Sequence, residues 1–191
     1  LSMSSDMGVS SDALPETIQQ VVERQIERLP ADLRETLTLA CMLGRTFEWR
    51  DLESIVDSKA ELEDAIDRLI RLGLLEEREW RGDRFTFASR VVRDVLYAGI
   101  SRRRRRTLHR RIAEALESRY ADRLDRMYAR LLHHYSQGDV GEKAVEYGFL
   151  AALKALDAFS ADDAVSAVRT ALEFLEDDDW EGDRELEGEA R

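Results

Sequence analysis

The sequence predicts a mainly α-helical protein that carries one short β-hairpin near its middle. From residue 15 to residue 175, apolar residues recur at intervals of three and four in successive segments, as in helices with one buried face. The exception is the stretch 84–88, in which apolar and polar residues alternate as they do in a strand. Two prolines and ten glycines among 191 residues also suit a chain dominated by helices.

Two helices are expected in the first quarter of the chain. Residues 1–13 are polar, small and without period, and we expect a flexible leader there. Pro15 suits the first turn of a helix that reaches Leu29, and Pro30 opens a second helix that Gly44 closes. Because the first residue is not Met, we expect the chain to be a piece of a longer protein.

The stretch 47–88 is interpreted as two short helices, a tight turn between them and a β-hairpin. Its four predicted elements are Phe47–Val56, Lys59–Leu72, Leu74–Trp80 and Arg84–Ala88. The order of helix, turn, helix and wing is typical of the winged-helix fold. We therefore predict a winged-helix domain over residues 14–100.

Local signals mark the ends of the two helices in this stretch. Thr46 is expected to cap the first helix. Ser58 and Glu61 have the spacing of a capping box, in which each side chain accepts a hydrogen bond from the other residue's amide. Gly73 stands where a helix ends with a residue in the left-handed conformation.

The rest of the chain is predicted to form a TPR-like (tetratricopeptide-like) helical domain over residues 101–175, after a short helix that Ser89 caps. Ala152, Ala164 and Ala171 are 12 and 7 residues apart, as are the small residues of TPR helices. A single helical hairpin cannot bury both of its faces, so we expect further repeats in the longer protein. Residues 176–191 are acidic and nearly without apolar groups, and disorder is expected there. The short helix is expected to end near Gly99. Four further helices are expected to cover 102–120, 124–136, 142–157 and 161–175.

The net charge, the apolar runs and the cysteine count argue against several classes of function. The formal net charge of −11 argues against general affinity for nucleic acid or anionic membranes. No apolar run approaches the roughly 20 residues that a membrane-spanning helix requires. Cys41 is the only cysteine, so no internal disulfide is possible, and we expect a reduced core thiol in a cytoplasmic protein.

Direct reading of DNA by the winged helix ranks below a packing or protein-contact role. A reading helix presents cations and amides to the DNA groove. Here the helix at 59–72 holds four acids and three bases, and the hairpin region 74–84 also holds four acids and three bases. Neither surface would gain much from releasing counterions on DNA.

One run of the sequence is strongly basic. Because five consecutive residues point all around a helix, and because cations are unfavourable at a helix N-terminus, these side chains should pair with acids of the same protein. We therefore favour a contact between domains, with polyanion binding as the second interpretation. The run comprises Arg102, Arg103, Arg104, Arg105, Arg106, Arg110 and Arg111.

No catalytic residue and no metal site are predicted. His133 and His134 are adjacent and would point to different sides of a helix, and only His109 and Cys41 remain as further ligands of these types. The sequence shows no recognisable Ser-His-Asp catalytic order. No pair of catalytic carboxylates can be distinguished in a chain with 36% charged residues. The stretch 138–143 lacks the glycine spacing and the hydroxyl residue of a phosphate-binding loop.

The order of five segments resembles the region that follows the ATPase core in STAND-type signal-transduction ATPases, which include bacterial LuxR-type regulators. The resemblance extends over residues 14–175. It implies a winged helix and TPR-like helices joined to an upstream P-loop ATPase domain of the same chain. ATP or ADP is implied for that parent protein, and no cofactor for this part of it. The five segments are 14–49, 62–77, 85–97, 104–117 and 142–152.

The resemblance also implies a position near the nucleotide. Family members carry a histidine in the phrase Phe-x-His after the wing, and this chain has Ser89 at that place. Ser89 and its neighbour Arg90 would lie at a helix N-terminus, where a phosphate can be bound. They are the candidate nucleotide-proximal residues.

Three functions are compatible with these features. The first is a non-catalytic regulatory module that couples the nucleotide state of the upstream domain to a TPR-like sensor. The second is a DNA-binding winged-helix regulator of transcription, and the third is a scaffold that binds protein partners through the repeats. The expected partners are the upstream ATPase domain and other proteins, without direct DNA binding or a membrane.

Overall fold

The computed structural model describes residues 17–56, 58–78 and 83–175, and in these residues the chain is mainly helical, as predicted. Eight elements form the first part: α1 (Ile18–Glu27), α2 (Ala31–Leu43), β1 (Thr46–Glu48), α3 (Trp49–Glu53), α4 (Lys59–Arg71), β2 (Leu75–Glu77), β3 (Arg84–Phe87) and α5 (Arg90–Gly99). Then follow α6 (Arg102–Arg119), a 3-10 segment (Ala121–Arg126), α7 (Tyr128–Gln137), α8 (Gly141–Asp157) and α9 (Ala161–Leu175). None of the described helices is long and apolar enough to cross a membrane.

The three strands form a small antiparallel sheet in the order β1-β3-β2. Phe47 of β1 is opposite Phe85 of β3, and their rings stack with centroids 5.8 Å apart. On the other side of β3, Leu75 of β2 is opposite Phe87. All four side chains are buried, so one apolar layer holds the sheet against the helices.

The helix predicted over Phe47–Val56 is wrong in its first turn, because Thr46–Glu48 forms strand β1 and the helix covers only Trp49–Glu53. Extended backbone places the Phe47 ring beside the aromatic rings of β3, and this packing outweighs the local helical pattern. Thr46 therefore does not cap the helix; it lies in the strand.

The predicted capping box at Ser58 is also wrong, because the Ser58 side chain makes no capping hydrogen bond. A capping box exists instead at α1, where the Thr17 hydroxyl accepts from the Gln20 amide and the Gln20 side chain accepts from the Thr17 amide. The prediction for Gly73 is confirmed, since its φ is +69°. Trp80 and most of the predicted turn after it lie outside the described residues.

Buried side chains from both parts of the chain form one continuous core. The second half of α2 is central, because every residue from Leu37 to Leu43 is buried. Cys41 has no exposed surface, and burial raises the pKa of its thiol to about 11. The predicted core position of Cys41 is thus confirmed. Ile112 and Leu131 extend the same core into α6 and α7.

The last helices depart from the prediction at one point. The helix expected from residue 124 begins only at Tyr128, because Ala121–Arg126 forms a 3-10 segment in which Arg123 has non-helical angles. Helices α8 and α9 pack closely, and a Cβ atom added to Gly148 would lie only 2.6 Å from the Cβ of Ala171. Small residues therefore determine how near these two helices can approach.

Candidate functional site

A buried carboxylate joins the first part of the chain to the helices that follow. Asp51 of α3 is only 1% exposed. Its Oδ1 accepts a hydrogen bond from the Tyr120 hydroxyl at 2.7 Å, and its Oδ2 lies 2.7 Å from Nη1 of Arg130 on α7. A buried carboxylate is stable only when it is paired in this way. Burial, followed by the hydrogen bond to Asp51, raises the pKa of Tyr120 to about 12.

The local sequence explains why Asp51 points inward. Helix α3 is only one and a half turns long, and Leu52 and Ile55 anchor it and the turn after it in the core. Arg111 of α6 donates a hydrogen bond to the Ile55 carbonyl at 2.6 Å. Three polar contacts thus fix α3 and the turn after it against α6, α7 and Tyr120. We call Asp51, Tyr120, Arg130 and the Arg111–Ile55 contact the polar junction.

Beside the polar junction lies an open cleft of about 830 Å³ with a surplus of positive charge. The cleft is not visible in the sequence, because its cations come from five separate elements and the chain as a whole is acidic. Such a cleft can attract an anionic group. Its charged lining consists of Arg50, Lys59, Arg119, Arg123, Arg126 and Arg130, with Glu48 and Glu53 as the carboxylates.

Two arginines of the basic run form ion pairs with acids on other elements. Arg104 contacts the carboxylate of Glu35 on α2. Nη1 of Arg106 lies 3.0 Å from Oδ2 of Asp139, in the turn between α7 and α8. The start of α6 is therefore tied to two other elements of the fold.

Three further arginines of the run make other contacts within the protein. The guanidinium of Arg105 lies over the Tyr97 ring of α5, 4.9 Å from its centroid. Arg110 donates to the Gly138 carbonyl at 3.3 Å, and Arg111 takes part in the polar junction. Arg102 and Arg103 are exposed. Most of the basic run thus serves packing between elements, which leaves its first residues on the surface.

Ser89 and Arg90 lie at the start of α5. The Ser89 hydroxyl accepts a hydrogen bond from the Val91 amide at 3.2 Å, so the predicted cap is present. Arg90 is exposed. The role of both residues near a nucleotide stays a prediction.

Glu117 is the centre of a second polar network. It accepts hydrogen bonds from the Tyr135 and Tyr147 hydroxyls and from the Lys143 amine. Burial alone would raise the pKa of Glu117, but these hydrogen bonds outweigh that effect and lower the pKa. The network links α6, α7 and α8.

All three histidines of the chain lie together between α6 and α7. One nitrogen from each of His109, His133 and His134 lies within 4.8 Å of the others. Nδ1 of His109 and Nδ1 of His134 are 2.9 Å apart, and both residues are only 2% exposed, whereas His133 is exposed. Burial is the main reason why the pKa falls to about 4 for His109 and to about 2 for His134.

The spacing rules applied to the sequence missed this cluster, because 23 residues separate His109 from His133 and the two belong to different helices. A usable signal was present nonetheless. His109 precedes Ile112 by three residues, and His134 follows Leu131 by three, so each histidine belongs to an inward-facing stripe.

Comparisons of the chain with protein-family models, with curated proteins and with solved structures found no match. The fold and the site geometry are therefore the basis for the functional inference. They define a mainly helical protein whose first part, with its small sheet, is joined to later helices through a buried polar junction.

Proposed function

We propose that the chain is a non-catalytic regulatory module that couples the nucleotide state of an upstream P-loop ATPase domain to a TPR-like sensor. From α2 onward the elements follow the order helix, strand, helix, helix, strand, strand. This is the order of a winged helix, in which α4 takes the position of the reading helix and β2 with β3 that of the wing. The position of β3 between β1 and β2 supports this interpretation.

The acidic surface of α4 is the observation that carries the proposal. Its solvent-facing side offers four exposed carboxylates beside the three bases Lys59, Arg68 and Arg71, and two more carboxylates follow on β2. A surface with an excess of acids gains little from the phosphates of DNA, whereas it can attract a basic protein surface. The exposed carboxylates are Glu61, Glu63, Asp64, Asp67, Glu76 and Glu77.

The polar junction supports the coupling role. Asp51 and Ile55, on α3 and the turn after it, form hydrogen bonds and an ion pair with side chains of α6, of α7 and of Tyr120 at the end of α6. A rigid-body displacement of the winged-helix part would therefore move the later helices with it. No hinge is required within the module.

The apolar surface of α8 and α9 supports a place for further repeats. A TPR-like hairpin buries one face within its own unit and covers the other with the next repeat. Here several large apolar side chains remain solvent-exposed on the last two helices and the turn between them. They are Phe149, Leu153, Leu156, Phe159, Val165, Leu172 and Leu175.

Copurification with the separately produced upstream ATPase segment tests the proposal. We expect association to differ between ATP and ADP, and the double substitution Asp64→Lys and Asp67→Lys to weaken it at least tenfold. The matched control is Asp157→Lys with Glu173→Lys, which makes the same charge change at exposed positions of α8 and α9. Association that is equal with either nucleotide would favour the scaffold function instead.

The basic cleft beside the polar junction is the observation that favours nucleic-acid binding as a second candidate. Titration of labelled duplex DNA at low and at moderate salt distinguishes this function, because phosphate contacts weaken steeply as salt rises. Absence of binding at micromolar protein removes the DNA-binding candidate. Salt-sensitive binding that Arg123→Ala and Arg126→Ala abolish would establish it in place of the ATPase contact.

A further inference from the structure

We propose that His109, His133 and His134 form a binding site for a divalent transition-metal ion, with Zn²⁺ as the reference ion. This site would tie α6 to α7 on the outer side of the core. It is independent of the proposed regulatory function.

The geometry lies close to that of a three-ligand site. In a tetrahedral zinc site each nitrogen lies about 2.0–2.1 Å from the ion, which places two ligand nitrogens about 3.3 Å apart. Here the Nδ1 atoms of His109 and His134 are 2.9 Å apart, in a hydrogen bond that the ion would replace, and the three candidate ligand atoms all lie within 4.8 Å of one another. Small rotations of the rings would bring all three nitrogens to one centre.

The cluster is open to solvent on one side. His133 is exposed and leaves a path for the ion from solvent, with room for water as the fourth ligand.

The surroundings set both the selectivity and a limit on the affinity. Three imidazoles without a carboxylate suit Zn²⁺, Ni²⁺, Co²⁺ or Cu²⁺ and are poor ligands for Mg²⁺ or Ca²⁺. The positive charges of Arg93, Arg105 and Arg130 act on the cluster from α5, α6 and α7. They oppose a bound cation, so we expect micromolar rather than nanomolar affinity.

Calorimetric titration of the metal-free chain with Zn²⁺, and visible spectroscopy with Co²⁺, test the site. We expect one ion per chain, absorption bands of tetrahedral Co²⁺ that Zn²⁺ abolishes, and no response to Mg²⁺. His133→Gln is the main variant, because the exposed side chain can be replaced without opening the core. It should weaken Zn²⁺ binding at least tenfold and remove the Co²⁺ bands.

Two further variants make the result decisive. His109→Gln should also abolish binding, and its circular dichroism establishes whether it folds. Gln137→Ala, at another exposed position of α7, should bind as the unchanged chain does. The proposal is overturned if none of Zn²⁺, Co²⁺ or Ni²⁺ binds, or if His133→Gln binds them as tightly as the unchanged chain.

Discussion

At the scale of single residues, the structure depends on a few buried or half-buried polar groups whose partners come from distant parts of the sequence. Asp51 contacts Tyr120 and Arg130, and the half-buried Glu117 contacts side chains of α7 and α8. The carboxylate of Asp51 would be costly to bury alone. Loss of one member should therefore have a larger effect than loss of a surface ion pair.

Asp51→Ala should lower the free energy of unfolding by about 1–3 kcal/mol, because it removes a buried acceptor and leaves the half-buried Tyr120 hydroxyl and Arg130 without their partner. Urea denaturation measures this difference. Asp64→Ala is the control: its carboxylate is exposed and lies 3.5 Å from Arg68, so the cost should stay below about 0.5 kcal/mol. Equal effects of the two substitutions would contradict the structural role of the polar junction.

The buried histidines predict a loss of stability on mild acidification in metal-free buffer. Burial lowers the pKa of His109 from its model-peptide value of 6.5 to about 4, so the unfolded chain binds the proton first. Stability is therefore complete above pH 6.5 and declines as the pH falls from there towards 4. Between pH 7 and pH 5 this one group should cost about 2 kcal/mol in the free energy of unfolding.

Urea denaturation at these two pH values, with a chelator present, checks the size of the loss. In His109→Gln the pH dependence should be clearly smaller, because this variant lacks the titrating ring. A pH dependence that His109→Gln leaves unchanged would assign the effect to other groups.

At the scale of elements, the close approach of α8 and α9 depends on Gly148. An added Cβ would meet the Cβ of Ala171 at 2.6 Å, and the Ala167 carbonyl oxygen at 3.3 Å. Alanine has the better helix propensity by about 1 kcal/mol, yet the overlap should outweigh that gain. Because the two effects have opposite signs, substitution at position 148 tests how closely α8 and α9 pack.

Gly148→Ala should lower the free energy of unfolding by about 1–3 kcal/mol, because the two helices must move apart. Thermal denaturation measures the change. Gly99→Ala is the matched control: nothing lies within 4 Å of its added Cβ, so it should be neutral or slightly stabilising. Ala171→Gly, combined with Gly148→Ala, should restore part of the loss; a failure to do so would locate the strain elsewhere.

Local signals in the sequence were sufficient for some elements and not for others. The stripe of Leu62, Ile66 and Leu69 predicted α4, and Gly73 predicted its end. Strand β1 was not predictable in this way. It is three residues long, and its pairing with β3 depends on residues about 40 positions later in the chain.

The candidate site was only partly visible in the sequence for the same reason. The basic run could be recognised in the sequence, but its ion-pair partners Glu35 and Asp139 belong to other elements and could not. Asp51 is one acid among many in a chain with 36% charged residues, and only the fold distinguishes it as buried. Long-range geometry, rather than composition, selects these residues.

At the scale of the whole molecule, opposite properties occupy different surfaces. Carboxylates outnumber cations on α4 and β2, cations predominate in the cleft beside the polar junction, and several apolar side chains are exposed on α8 and α9. A protein with three distinct surfaces can contact several neighbours at once. This arrangement supports a coupling role more than an isolated one.

Leu153→Gln tests the apolar surface of α8 and α9. The side chain is 61% exposed, so the free energy of unfolding should change by less than about 0.5 kcal/mol. Under the proposed function, association with a separately produced segment that carries the following repeats should nevertheless weaken, as measured by analytical ultracentrifugation of mixtures. Unchanged association would show that α8 does not contribute to that contact.

Because Cys41 is buried, the reactivity of its thiol reports on opening of the core. As the sole thiol, with no exposed surface and a raised pKa, it reacts with an alkylating reagent only when α2 is transiently uncovered. The rate of its modification therefore measures how often the interior opens. A docked ATPase domain that clamps the module would slow this reaction, with no need for an introduced label.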